Sequence, residues 1–251
     1  MLSIEDTALA VADTGGPSCP IVYLNGSYAS RKDWRPVMAE LGSEWRHVTY
    51  DERARGQSRP SADYSFEACL RDLDAVLNAR KISRPLLVGW SYGAVLAVHW
   101  ADRYPDRVTG VVSVDGAVPY GLTGEASRER IRKLFRQIGW LLPMASRLGL
   151  AARMSALQHA DINIEINEIQ AAIGPVLDRI RCPVRYVIGM GAHRGASEAE
   201  MALVRASLDP VLARNPHLVI SANVASNHEN ILRRDYRAVA AAIREVAALR
   251  F

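Results

Sequence analysis

The chain has 251 residues, 49% of them hydrophobic, with 31 Lys and Arg against 27 Asp and Glu for a net charge of +4. That length fits one large domain, or one domain carrying an insertion. No apolar run approaches the ~20 residues of a membrane-spanning helix, so no membrane span is expected. The mild charge gives no reason to expect a nucleic-acid partner, and its densest basic patch (Arg128, Arg130, Arg132, Lys133, Arg136) reads as a solvated helix face. The N-terminus, Met1-Leu2-Ser3-Ile4-Glu5-Asp6, lacks the basic and apolar regions of a signal peptide. Cys19, Cys69 and Cys182 are odd in number and widely spaced, suggesting neither a disulfide framework nor a metal site. A cytoplasmic protein is the expectation.

In chain order, Thr7 to Ala12 reads as a strand ended by Asp13-Thr14-Gly15-Gly16-Pro17, and Pro20 to Leu24 as a short buried strand stopped at Asn25-Gly26. Asp33 to Leu41 is expected to be helical with Asp33 as N-cap, and His47 to Tyr50 to be a strand. Phe66 to Arg80 carries the 3.6-residue period through Leu70, Leu73, Val76 and Leu77. Leu86 to Trp90 reads as a strand and Tyr92 to Tyr104 as a helix. Val108 to Val114 is a fully apolar strand closed by Asp115-Gly116. Further on, Val184 to Ile188 is a strand and Glu198 to Ala213 a helix, with Met201, Val204, Leu208 and Leu212 on one side. Leu218 to Ile220 is the last strand and Tyr236 to Leu249 the last helix. Short continuous apolar strands alternating with helices imply an α/β fold with a mostly parallel, doubly wound sheet.

The alternation breaks between residues 119 and 181. Helix-like runs (Arg128 to Ile138, Leu142 to Leu157, Ile164 to Ile180) occupy that stretch without a convincing strand. We read residues 119–181 as a helical cap inserted into a core of residues 1–118 and 182–251. An insertion after a strand's carboxyl end roofs the crevice where open α/β sheets bind ligands. Trp140 and its neighbours Leu141, Leu142, Pro143 and Met144 are candidates to line a substrate cavity, or else pack the cap onto the core.

The pentapeptide Gly89-Trp90-Ser91-Tyr92-Gly93 lies between the strand Leu86 to Trp90 and an apolar helix. In that context G-x-S-x-G is a nucleophile elbow. The turn brings backbone so close on both sides that only glycine fits at its ends. The serine is left at the tip, and the helix behind it aims N–H groups and its positive end at the reaction site.

With Asn25-Gly26-Ser27-Tyr28 after one strand, Tyr50-Asp51-Glu52-Arg53-Ala54-Arg55-Gly56-Gln57-Ser58 after the next, the elbow, the helical insertion and a late histidine, the chain resembles the α/β-hydrolase family over nearly its whole length. The second stretch is similar to the family's Asp-x-Arg-Gly-x-Gly-x-Ser loop, with Ala54 in place of one glycine. Family order is Ser, then Asp or Glu, then His. Of six histidines, His228 follows the last strand, where the family carries its catalytic histidine. The family's usual acid position, Gly189-Met190-Gly191-Ala192-His193-Arg194-Gly195-Ala196-Ser197, holds no carboxylate before Glu198. A minority of the family takes its acid one strand earlier, where Asp115 stands. The alternatives are Glu198 or an unassisted Ser–His pair. His193 is expected to face substrate or solvent.

The backbone N–H of Tyr92, next to the nucleophile, is one expected oxyanion donor. By the resemblance, the N–H of Ser27 is the other, in a loop where Asn25 replaces the family's histidine. Tyr28, Trp90 and Tyr92 then surround Ser91, which favours a small-molecule substrate with an apolar or aromatic portion. The implied activity is cofactor-free, metal-free hydrolysis of a carboxylic ester, lactone or thioester through an acyl-enzyme on Ser91. C–C bond hydrolysis, a perhydrolase reaction and a low-turnover ligand-binding receptor are rivals on the same fold.

Overall fold

The computed structural model describes residues 1–149, 151–192 and 197–249. A small antiparallel pair, β1 (Leu2–Ile4) and β2 (Thr7–Leu9), precedes a seven-stranded sheet. The sheet comprises β3 (Val11–Asp13), β4 (Pro20–Leu24), β5 (Arg46–Tyr50), β6 (Leu86–Trp90), β7 (Gly110–Val114), β8 (Val184–Gly189) and β9 (Leu218–Val224). Its strand order is β3-β5-β4-β6-β7-β8-β9, with β3 antiparallel at one edge and every other pairing parallel. This is the mostly parallel α/β sheet expected from the strand–helix alternation.

Helices cover both faces because the central strands are apolar on both. In β4, Ile21 and Tyr23 join Trp34, Leu86, Val88 and Val112 on one side, against α1 (Arg35–Leu41) and α11 (Tyr236–Ala248). Val22 and Leu24 face the other way, onto α2 (Phe66–Ala79) and α3 (Tyr92–Arg103), among Leu73, Leu77, Val95 and Leu96. The strand's two-residue period therefore feeds two separate cores.

Between β7 and β8 lie α4 (Glu125–Ile138), α5 (Leu142–Arg147), α6 (Ala156–Ala171) and α7 (Gly174–Arg179). The expected continuous helix from Leu142 to Leu157 is instead interrupted: Gly149 adopts φ +74°, and Ser155 caps a new helix by accepting the Gln158 N–H. After β8 come α8 (Glu198–Ala206) and α9 (Asp209–Arg214), then β9 and a short α10 (Ile231–Arg234) before α11.

Several local expectations change for physical reasons. The strand from Thr7 splits because β2 pairs with β1 while β3 pairs with β5. Asp33 is not an N-cap. It lies in a 3₁₀ turn, Arg31–Trp34, where its carboxylate accepts the Ser30 N–H at 2.8 Å, and α1 starts two residues later at Arg35. The helix from Glu198 breaks ahead of Pro210, which cannot donate an N–H within a helix interior.

Candidate active site

Ser91 joins β6 to α3 with φ 54° and ψ −116°, a conformation that costs an L-residue energy. Its N–H donates to the Val114 carbonyl at 3.0 Å, tying the tip of the turn to β7. A Cβ at Gly89 would collide with the Gly93 carbonyl, and one at Gly93 with the Leu24 carbonyl. At Gly116 a Cβ would lie 2.5 Å from the Ser91 carbonyl oxygen. The two elbow glycines and Gly116 are thus required by backbone packed against backbone.

Asp115 follows β7 directly, with φ 47°, a left-handed conformation that Asp adopts more readily than most residues. Its N–H donates to Val187 O at 2.9 Å. The carboxylate Oδ2 lies 2.8 Å from His228 Nδ1, and Oδ1 accepts the Gly189 N–H at 2.9 Å. A carboxylate partner puts the proton on Nδ1, so the neutral ring keeps Nε2 as a proton acceptor. His228 sits in the turn after β9. That turn is held by Gly191 N–H to Ser226 O (3.0 Å) and Ser226 N–H to Asp235 Oδ2 (3.1 Å). The Trp90 indole flanks the imidazole, with ring centroids 5.5 Å apart.

The loop after β4 is braced from below. Asn25 is fully buried and every hydrogen-bonding group of its side chain is used. Nδ2 donates to Tyr50 O (2.7 Å) and Glu52 Oε2 (2.8 Å), and Oδ1 accepts Trp34 Nε1–H (2.9 Å). Its backbone N–H donates to Glu52 Oε1 at 2.9 Å. Burial pushes the Glu52 carboxyl up to about 7, against the opposing pull of Arg55 and of the Asn25 hydrogen bonds. Arg55 donates from Nε to Ser27 O at 2.5 Å, and its guanidinium lies 5.9 Å from the centre of the Tyr92 ring. The Ser27 N–H enters no hydrogen bond among the described residues. As the first residue of α3, Tyr92 has an N–H without an intrahelical acceptor. Both residues border the same cavity as Ser91 and His228.

Two cavities meet at Ser91 and His228, with Gln170 of α6 bordering both. One, of about 500 Å³, lies under Tyr28, Trp90, Asn163 and Ile166. The other, of about 390 Å³, runs between the ends of β7 and β8 and the apolar side of α8. Tyr28 accepts a hydrogen bond from Asn163 Nδ2 (3.0 Å) and stacks on His159 (5.8 Å).

Ser91, Asp115, His228, Ser27, Tyr28, Trp90 and Tyr92 therefore converge on one region. Trp140 does not join them. It is 77% exposed and borders neither cavity, because Leu142, two residues on, turns inward against Phe135 and Ala160. Glu198 opens α8 on the surface and also borders neither cavity. His193 lies outside the described residues. Sequence reasoning missed Gln170 and Asn163, polar residues within a helix whose apolar positions showed no clear face. It also missed Arg205, which follows the apolar residues of α8 into the second cavity.

Residues 20–143 match the family profile described as alpha/beta hydrolase fold. A haloalkane dehalogenase of Mesorhizobium japonicum is 30% identical over 139 residues, 55% of this chain and 45% of that protein. The chain spans 32% to 45% of the length of the first curated relatives it matches. Among solved structures, a thermophilic esterase from Thermogutta terrifontis superposes with TM-score 0.74 at 19% identity, over 96% of this chain and 93% of that one. The enol-lactonase from Burkholderia xenovorans LB400 gives TM-score 0.67 at 17% identity, over 96% and 97%. At these identities the likeness to solved structures speaks for the fold alone. Together with the parallel sheet and the elbow between β6 and α3, these matches establish that the chain belongs to the α/β-hydrolase fold family.

Proposed function

We propose that this chain is a serine hydrolase acting on carboxylic esters, lactones or thioesters, with residues 119–181 as its cap. The observation that carries the reading is the shared cavity of Ser91 and His228, with Asp115 bonded to Nδ1 of the imidazole. Ser91 Oγ attacks the substrate carbonyl carbon while its proton passes to His228 Nε2. The Asp115 carboxylate stabilises the imidazolium. The Ser27 and Tyr92 N–H groups receive the negative charge developing on the carbonyl oxygen. His228 then returns the proton to the leaving alcohol or thiol. Water repeats the sequence on the acyl-enzyme and frees Ser91.

The dehalogenase likeness does not transfer on chemical grounds. Displacement of halide by a serine oxygen would leave an alkyl ether, which water does not readily cleave. An acyl ester on the same oxygen is hydrolysed by the step just described.

The test is labelling by a fluorophosphonate probe with Ser91→Ala as blank, followed by a rate survey of esters, lactones, thioesters and a vinylogous diketone. Labelling at Ser91 with ester or lactone turnover is expected. An inert Ser91 favours the binding-protein alternative, and turnover of the diketone alone favours C–C hydrolysis.

A further inference from the structure

We propose that Arg205 binds a carboxylate on the acyl part of the substrate. The preferred substrates are then esters, lactones or thioesters whose acyl chain carries a second, ionised carboxyl group. The inference rests on the acyl-transfer reading above and assigns a chemical class to the 390 Å³ cavity.

That cavity has a reactive end and a charged end. Ser91 and His228 stand at the first, and apolar side chains that include Val118, Ile188, Met201 and Leu208 line its walls. Its volume falls within the range of small-molecule sites. Arg205, in the last turn of α8, is the one Lys or Arg among the described residues that borders it. Arg205 Nη2 donates to the Gly189 carbonyl at 3.1 Å, which fixes the guanidinium against the end of β8. Arg205 Nε is buried and has no hydrogen-bond partner among the described residues. Among the described residues no carboxylate forms an ion pair with it. Asp115, in the same cavity, is engaged with His228 and Gly189, and Asp209 borders the cavity without pairing to Arg205.

A cation placed for structure alone pairs with an acid or points its charge into water. Arg205 is half-buried, pairs with no acid among the described residues, and leaves its buried Nε–H unmade on the wall of an apolar pocket. Burying such a donor without a partner is unfavourable. A guanidinium presents its donors as a planar fork that matches a carboxylate's two oxygens. A carboxylate held there, with its carbon chain along the apolar walls, would direct a second carbonyl carbon toward Ser91.

The experiment measures kcat/KM by proton release for monoethyl glutarate, adipate and pimelate, and for the ethyl esters of the neutral acids with the same carbon counts. Wild type, Arg205→Gln and Arg205→Lys are compared after a folding check by circular dichroism. Wild type should prefer the hemiester at its best chain length by more than tenfold. Arg205→Gln should lower that ratio at least tenfold, mainly through KM, and Arg205→Lys should retain part of it. An unchanged ratio in Arg205→Gln, or a wild-type preference for neutral esters, overturns the proposal while leaving the hydrolase reading intact. Absence of both ester turnover and fluorophosphonate labelling means that the hydrolase reading itself has failed. Calorimetry with adipate then still decides the site: binding to wild type that is lost in Arg205→Gln sustains it, and no binding to wild type removes it.

Discussion

Asp115 and His228 are 113 residues apart in sequence and 2.8 Å apart in space, carboxylate Oδ2 to imidazole Nδ1. The contact spans the carboxyl ends of β7, β8 and β9. The loop after β8 does not supply a carboxylate to it. Instead, Gly189 gives its N–H to the other Asp115 oxygen at 2.9 Å.

Asp115→Asn tests this contact most directly. Asn tolerates the left-handed backbone at this position but leaves the wrong imidazole tautomer favoured. We expect kcat to fall by ~10² to 10⁴ with the fold retained. Glu198→Gln, at the exposed start of α8, should be close to silent. A steady-state comparison of the two variants checks the assignment, and a large loss in Glu198→Gln would reverse it.

Ser91→Ala should abolish turnover, and His228→Ala should lower kcat by at least ~10³, since nucleophile and base act as a unit. The double variant should be little worse than either single one. Additive losses would show that the two residues work independently.

Glu52 links stability to pH. Its carboxyl titrates near 4.5 when unperturbed and is pushed up to about 7 by burial in the folded chain. The folded state therefore holds this proton more tightly than the unfolded state. The stabilisation is complete at the acid end and is lost as pH rises through about 7. The Tm difference between wild type and Glu52→Gln should shift against wild type from about pH 5 to about pH 8. Parallel thermal curves across that range would contradict this.

Gly93→Ala should cost more than ~4 kcal/mol, because its Cβ would enter the Leu24 carbonyl and lie 2.8 Å from the Asn25 carbonyl oxygen. Gly174→Ala is the control. It opens α7 in free space, so thermal melts should place it near wild type.

How legible each feature was in the sequence follows from how local its cause is. Leu86 to Trp90 has the same bounds in both readings because Gly89, Ser91 and Gly93 punctuate the turn within five residues. β9 runs on to Val224, beyond the expected Ile220. Its partly polar continuation Ser221-Ala222-Asn223 pairs with β8 at the sheet edge and has no apolar pattern to announce it. Trp140 looked like a cavity residue from its apolar neighbours, but which side of a helical turn faces the core depends on α4 and α6 packing together. Asn25 was legible as a departure from the family's histidine. Its compensation by Glu52 and Trp34 was not, since those partners lie 27 and 9 residues away. Arg205 was hidden for a similar reason: a cavity wall and a core face carry the same apolar spacing.

The route by which Asp115 reaches the imidazole separates precision from adaptability. Under the proposed assignment, all three reacting groups hang from strand ends or the turns just after them, and the segment from Met190 to Ser197 carries none. Evolution, or a laboratory library, can therefore recompose the part of that segment beyond Gly191, whose N–H holds the His228 turn, without replacing any group of the proton relay.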